Sequence, residues 1–169
     1  MGAGKVLAII GAVVGLLSVI LSFILPELSW FQYEISGMGL SGGIYLTGFG
    51  TYLKTGDVVS TPDTVMLMMI GGILVIVGSV LCIVCALTEK KVVGIIGGIV
   101  ILLGPVLLIV DLLTGMSEMS ENILDIGSNV NVFWDSYTDM GVTVSWNIWI
   151  GSFIALAGGV LGLIGGAAA

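Results

Sequence analysis

The chain contains no arginine and no histidine, and its 169 residues include only four lysines, two cysteines and three prolines. Without histidine there is no Ser/His/Asp set and no HExxH zinc site. Four scattered lysines cannot form the basic patch that phosphate backbones require, which excludes nucleic acid as a partner. The GxxxxGK[ST] phosphate loop is missing, and Val6 breaks the myristoylation pattern that would begin at Gly2. Cys82 and Cys85 stand in a long apolar run, so the polar segments hold no disulfide framework. Their CxxC spacing lacks the second pair or the histidines of a zinc site. Two readings are left for them: small buried apolar side chains, or juxtamembrane lipidation. No cofactor, metal or catalytic residue is implied, and an enzyme is not expected.

Apolar residues are abundant. The chain is 57% hydrophobic and 9% charged, with a mean hydropathy of +1.23. A soluble domain of this length cannot hide that much apolar surface. A bilayer removes the difficulty and asks instead for runs of about 20 apolar residues that close their own hydrogen bonds as helices. Four runs qualify, at residues 6–25, 64–87, 92–114 and 143–166. They divide a single membrane domain, 1–169, into an outer loop at 26–63, an inner loop at 88–91 and a second outer loop at 115–142. The first run is longer than a signal-peptide core and no small-x-small site follows it, so it reads as a retained helix.

Lys5, Lys90 and Lys91 flank the first three runs on one side, which the positive-inside rule assigns to the cytoplasm. Nine of the eleven acids fall on the other side. Trp30, Trp146 and Trp149 lie near the predicted outer boundaries, where aromatic belts form. The expectation is a multi-pass protein of the cell membrane with both termini cytoplasmic. The four-residue inner loop makes spans two and three antiparallel neighbours and offers no surface to a soluble cytoplasmic partner.

The first outer loop reads as strand. Phe31, Tyr33 and Ile35 alternate with Gln32 and Glu34, further aromatic and β-branched runs follow through residue 53, and glycines punctuate them. In the second outer loop Met116, Met119, Ile123 and Ile126 or Gly127 keep helical spacing, which predicts that span three projects about two turns beyond the bilayer. The aromatic candidates for outer-loop contacts are Trp30, Phe49, Phe133, Trp134 and Tyr137, to cap the sheet or to meet a partner. The fold class that follows is an all-α transmembrane four-helix bundle with a small extracellular antiparallel β-sheet.

Small residues repeat at GxxxG spacing: Gly11 and Gly15, Gly94 and Gly98, Gly158 and Gly162. Such faces bring helix backbones close, within one bundle or between neighbouring molecules. Gly104-Pro105 predicts a bend in span three. Asp111 is the one acid inside an apolar run, and its place near the outer end lets it reach the interface. Asp57, Asp63 and Asp135 are the acids to test for attracting cations.

The layout resembles the claudins and related tetraspan membrane proteins. Leu25-Pro26 through Trp30 is similar to the start of the claudin first loop, and Gly48-Phe49-Gly50 sits near the place of the family's Gly-Leu-Trp. Pro105 matches a proline in the third span, and Asp139-Met140-Gly141 with the glycine-rich segment after Trp146 resembles the approach to the fourth. The family's paired first-loop cysteines have no counterpart, and Gly50 stands in place of the second tryptophan. The resemblance implies a non-enzymatic protein acting through its outer loops in lateral self-assembly, adhesion or membrane organisation, with the lipid bilayer and further copies of itself as partners. The alternative is an accessory subunit beside other membrane subunits of a transport or respiratory complex. A third reading is a paracellular-type or ion-pathway component.

Overall fold

The computed structural model describes residues 2–58, 63–126 and 130–169. Four of its helices are long and apolar enough to cross a membrane: α1 (Ala3–Leu21), α2 (Met66–Thr88), α3 (Lys91–Thr114) and a last helix, Ile150–Ala168. They identify a multi-pass membrane protein. Between them lie strands β1 (Phe31–Gly37), β2 (Leu40–Leu46) and β3 (Tyr52–Gly56), a short helix α4 (Glu118–Asp125), and strands β4 (Trp134–Asp139) and β5 (Val142–Ile148). The last helix is α5.

The four long helices form an up-down-up-down bundle in which α1 packs on α2 and α5, and α3 packs on α2 and α5. Each helix turns its smallest residues inward. Along α1 the buried positions are Gly4, Ala8, Gly11, Ala12, Gly15, Ser18 and Val19, while Ile10, Val13, Leu17 and Ile20 are exposed. Lipid is as apolar as leucine, so hiding large side chains gains little there, and close backbone contact gains dispersion energy. A β-carbon on Gly158 would stand 2.6 Å from the Gly15 nitrogen and 2.9 Å from the Gly11 carbonyl oxygen. Only glycine permits that approach.

All five strands join one antiparallel sheet in the order β3-β2-β1-β5-β4. It stands at the bundle end formed by the C-termini of α1 and α3 and the N-termini of α2 and α5. At the opposite end Lys5 pairs with Glu89. The sheet corrects the sequence reading in three places. Residues 143–148 belong to β5, not to the fourth span, because Val142-Thr143-Val144-Ser145-Trp146-Asn147-Ile148 alternates at period two and pairs with β1 along its whole length. The second long connection therefore supplies two strands. Span three does not project: Gly115 adopts the left-handed conformation (φ 65°) and closes α3. The amphipathic stretch then restarts as α4, with Ser117 and Ser120 capping each other. Gly127, and residues 59–62 at the end of the first connection, lie outside the described residues.

Trp30 ties the sheet to the bundle. It is 0% exposed, and its indole Nε1 donates to the Ser18 carbonyl oxygen at 3.2 Å. Gly48 and Gly104 make room for its ring, since a β-carbon on Gly104 would stand 3.2 Å from Trp30 Cη2. The helix α3 continues through the adjacent Pro105. The main chain seals the joint: Trp149 N–H donates to the Trp30 carbonyl and Gly151 N–H to that of Ser29, both at 2.9 Å. The sheet's inner face then places Phe31, Leu46 and Trp146 in one buried cluster with Met119 and Ile123 of α4 and Leu108 and Leu112 of α3.

Candidate interaction surface

The two faces of the sheet differ. Phe31, Leu46, Ile148 and Trp146 turn toward the core, and Gln32, Glu34, Tyr45 and Ser145 line the opposite, polar face, where the Tyr45 hydroxyl donates to Glu34 Oε1 at 3.0 Å. Strand β1 rises about 20 Å from the bundle to its far end, at roughly 3.3 Å per residue. Two hairpin turns meet there.

Both turns have two residues and the same sequence, Met-Gly. Met38 and Gly39 join β1 to β2 with φ of 51° and 82°, and Met140 and Gly141 join β4 to β5 with φ of 47° and 81°. Positive φ at both positions is the geometry that suits the twist of a hairpin, and it selects Asn, Asp or Gly at the first position. Methionine is strained there, by about 1 kcal/mol. Gly37 pairs with Val142 across β1 and β5, so the two turns sit side by side, with Met38 over Gly141. Met38 is 75% exposed and Met140 83%, and Leu40 beside them is also exposed. The tip is thus an apolar, methionine-rich surface held on strained backbone. Breaks in local rules are expected at functional or strained sites, and exposed methionines suit adaptable contact surfaces. Sequence reading passed over it because an isolated Met-Gly pair carries no hairpin signal.

The aromatic candidates separate. Trp30 is core. Phe49 is half-buried and stacks at a tilt on Phe23, ring centroids 5.2 Å apart, and Phe133 packs against the core cluster. Trp134 (63% exposed) and Tyr137 (44%) remain accessible. They lie on the edge strand β4, three residues apart and so on opposite faces. Both edges of the sheet, β3 and β4, lack a further strand among the described residues. Unpaired edges are templates for pairing with another chain.

The glycines are spent inside the molecule. Gly11 and Gly15 face Gly158 and Gly162 of α5, Gly94 faces Gly166 and Cys85, and Gly98 faces Leu163. No glycine of the three pairs is left on the lipid-facing surface, so of the two alternatives they serve packing within one bundle. Cys82 and Cys85 are free and buried against α3 and α5, as small apolar side chains are.

The acids also regroup. Asp57 accepts from the Ser41 N–H beside one sheet edge. Asp135, on the other edge, accepts from the N–H groups of Asn131 and Ser136, and these bonds hold its carboxyl below the usual range. The two thus lie at opposite edges of the sheet. Asp63 instead lines a cavity with Asp111 and Glu118. Asp111 does not reach the interface: it is 0% exposed. No family model and no curated protein matches this chain.

Proposed function

We propose that this is a non-enzymatic, claudin-like protein of the cell membrane that organises membranes by self-association through its sheet. In this reading the termini are cytoplasmic and the sheet is extracellular, as the end-to-end asymmetry of the lysines favours. The observation that carries it is the tip formed by Met38, Leu40 and Met140. Methionine adapts to partner surfaces, and two adjacent turns each place one on strained, exposed backbone. A second copy is the partner in view, meeting tip to tip across apposed membranes or edge to edge within one.

The test is the double variant Met38→Asn and Met140→Asn. Asparagine suits the left-handed turn, so folding is preserved or improved while the apolar tip is removed. In native sizing after mild-detergent extraction, and in aggregation of vesicles carrying the protein, wild type is expected to associate and the variant to lose at least about tenfold in affinity. Wild type that stays monomeric and leaves vesicles dispersed defeats the proposal. Stoichiometric recovery of a transport or respiratory assembly, identified by mass spectrometry, would make the chain an accessory subunit instead.

A further inference from the structure

A cavity of about 530 Å³ lies between the start of α2 and the corner where α3 gives way to α4. Its walls have two characters. Val65, Met66, Ile70 and Met116 make an apolar side, and Met66 and Ile70 are also exposed at the surface of the bundle. Asp63, Asp111, Ser117 and Glu118 make the polar side.

Asp111 is the unusual member. It is wholly buried, and only one of its oxygens is satisfied: Oδ2 accepts from the Ser117 hydroxyl at 2.7 Å, while Oδ1 has no hydrogen-bond partner. It also sits in the last turn of α3, where the helix dipole is negative and an acid is disfavoured. Asp63 and Glu118 add two more carboxylates on the same cavity. The single ion pair among the described residues, Lys5 with Glu89, is at the far end of the bundle, so none of the three is neutralised by a lysine. Nearby, the Tyr52 hydroxyl is also buried without a partner, and burial, followed by the charges of Asp111, Glu118 and Asp63, raises its pKa. A buried carboxylate with one oxygen unpartnered and no counter-charge is costly unless something positive completes it.

We infer that the cavity binds a single-chain amine, whose ammonium group lies against the Asp111 carboxylate and, after a small shift of the wall that covers it, donates to Oδ1, while its apolar body lies along Val65, Met66, Ile70 and Met116. A metal ion fits less well. Among the described residues no three His, Cys, Asp or Glu side chains are grouped closely enough to hold one. The volume suits a small organic molecule. A zwitterionic phospholipid carries an ammonium too, but its phosphate would meet the charges of Asp63 and Glu118. The apolar wall at the bundle surface gives the chain of an amine a route in from the bilayer.

The test uses the full chain in nonionic detergent at neutral pH, with hexylamine as probe and hexanol as its uncharged match, followed by titration calorimetry. Saturable binding of hexylamine and none of hexanol is expected. Asp111→Asn should weaken hexylamine by about tenfold or more, the worth of a buried charge-assisted hydrogen bond. Two variants at accessible positions guard against misfolding at Asp111. Ile70→Trp should fill the cavity and abolish binding, and the double change Asp63→Asn with Glu118→Gln should weaken it by about two- to threefold, as befits solvated charges. Equal binding of hexanol, or unchanged hexylamine affinity in Ile70→Trp, overturns the inference. Displacement of hexylamine by phosphatidylethanolamine but not by phosphatidylcholine would overturn the assignment to a phosphate-free amine, with a lipid headgroup as the ligand instead.

Discussion

At Gly158 two helices touch through their backbones and the large side chains of the same helix, Phe153 and Val160, point away. At Phe31, in the sheet, the order is reversed: Phe31, Leu46 and Trp146 are interior and the polar side chains face out. One chain thus follows two opposite rules for what is inside. The difference lies in the solvent. Water drives large apolar groups together, and lipid does not, so small residues dominate the closest helix–helix contacts where lipid surrounds the bundle. Trp30 is where the rules meet, a large aromatic seated among glycines at the end of the bundle and hydrogen-bonded to the α1 backbone.

The comparison is broken most severely at that residue. Trp30→Ala should cost about 3–5 kcal/mol, because the cavity it leaves is walled by both regions. Denaturant titration in mixed micelles would measure this, and proteolysis should then cut the sheet before the helices. A stability within 1 kcal/mol of wild type, roughly the scale of a neutral surface change, would show that the two regions are held together elsewhere.

The bundle rule is sharpened by a pair of small changes on one helix. Gly158→Ala puts a β-carbon against main-chain atoms that cannot yield, at a cost of about 2–3 kcal/mol. Val160→Ala, on the exposed side of α5 two residues away, removes two carbons where Gly158→Ala adds one, and should be nearly silent in lipid. Equal losses for the two would mean that the helices do not pack as described.

The smallest expected effect is at the lysine-bearing end. Hydrogen bonding and charge from Lys5 lower the pKa of Glu89. A carboxyl whose pKa is depressed by folding stabilises the fold at pH above its unfolded value, and that contribution is lost as pH falls through the folded value. The difference in thermal stability between wild type and Glu89→Gln should therefore be small at neutral pH and vanish in acid. A difference that grows on acidification contradicts the pairing.

Much of this was legible from sequence wherever one signal dominated. The apolar runs predict the four long helices, and the alternation in residues 31–35 predicts β1. The alternation in 142–148 is equally clean, yet it abuts the apolar run of α5 without a turn signal, so hydropathy absorbed it into a helix. The Met-Gly turns were silent because they break the very preference by which hairpins are recognised. Asp111 was visible as an odd acid, but its burial depends on where Ser117 and the start of α2 fold back upon it, and no local pattern encodes that. The sequence spacing of Asp57, Asp63 and Asp135 likewise says nothing of sheet edges, which arise only once β5 pairs with β1.

The joint between β5 and α5 has a mechanical consequence. Ile148 ends the strand and Ile150 begins the helix, and the hydrogen bonds from Trp149 and Gly151 carry the ladder across the gap. Strand and helix are thus joined without a loop, and a tilt of one is transmitted to the other through this joint. A rotation of α5 by about 5° would therefore swing the methionine tip by about 2 Å, given the roughly 20 Å reach of the strands.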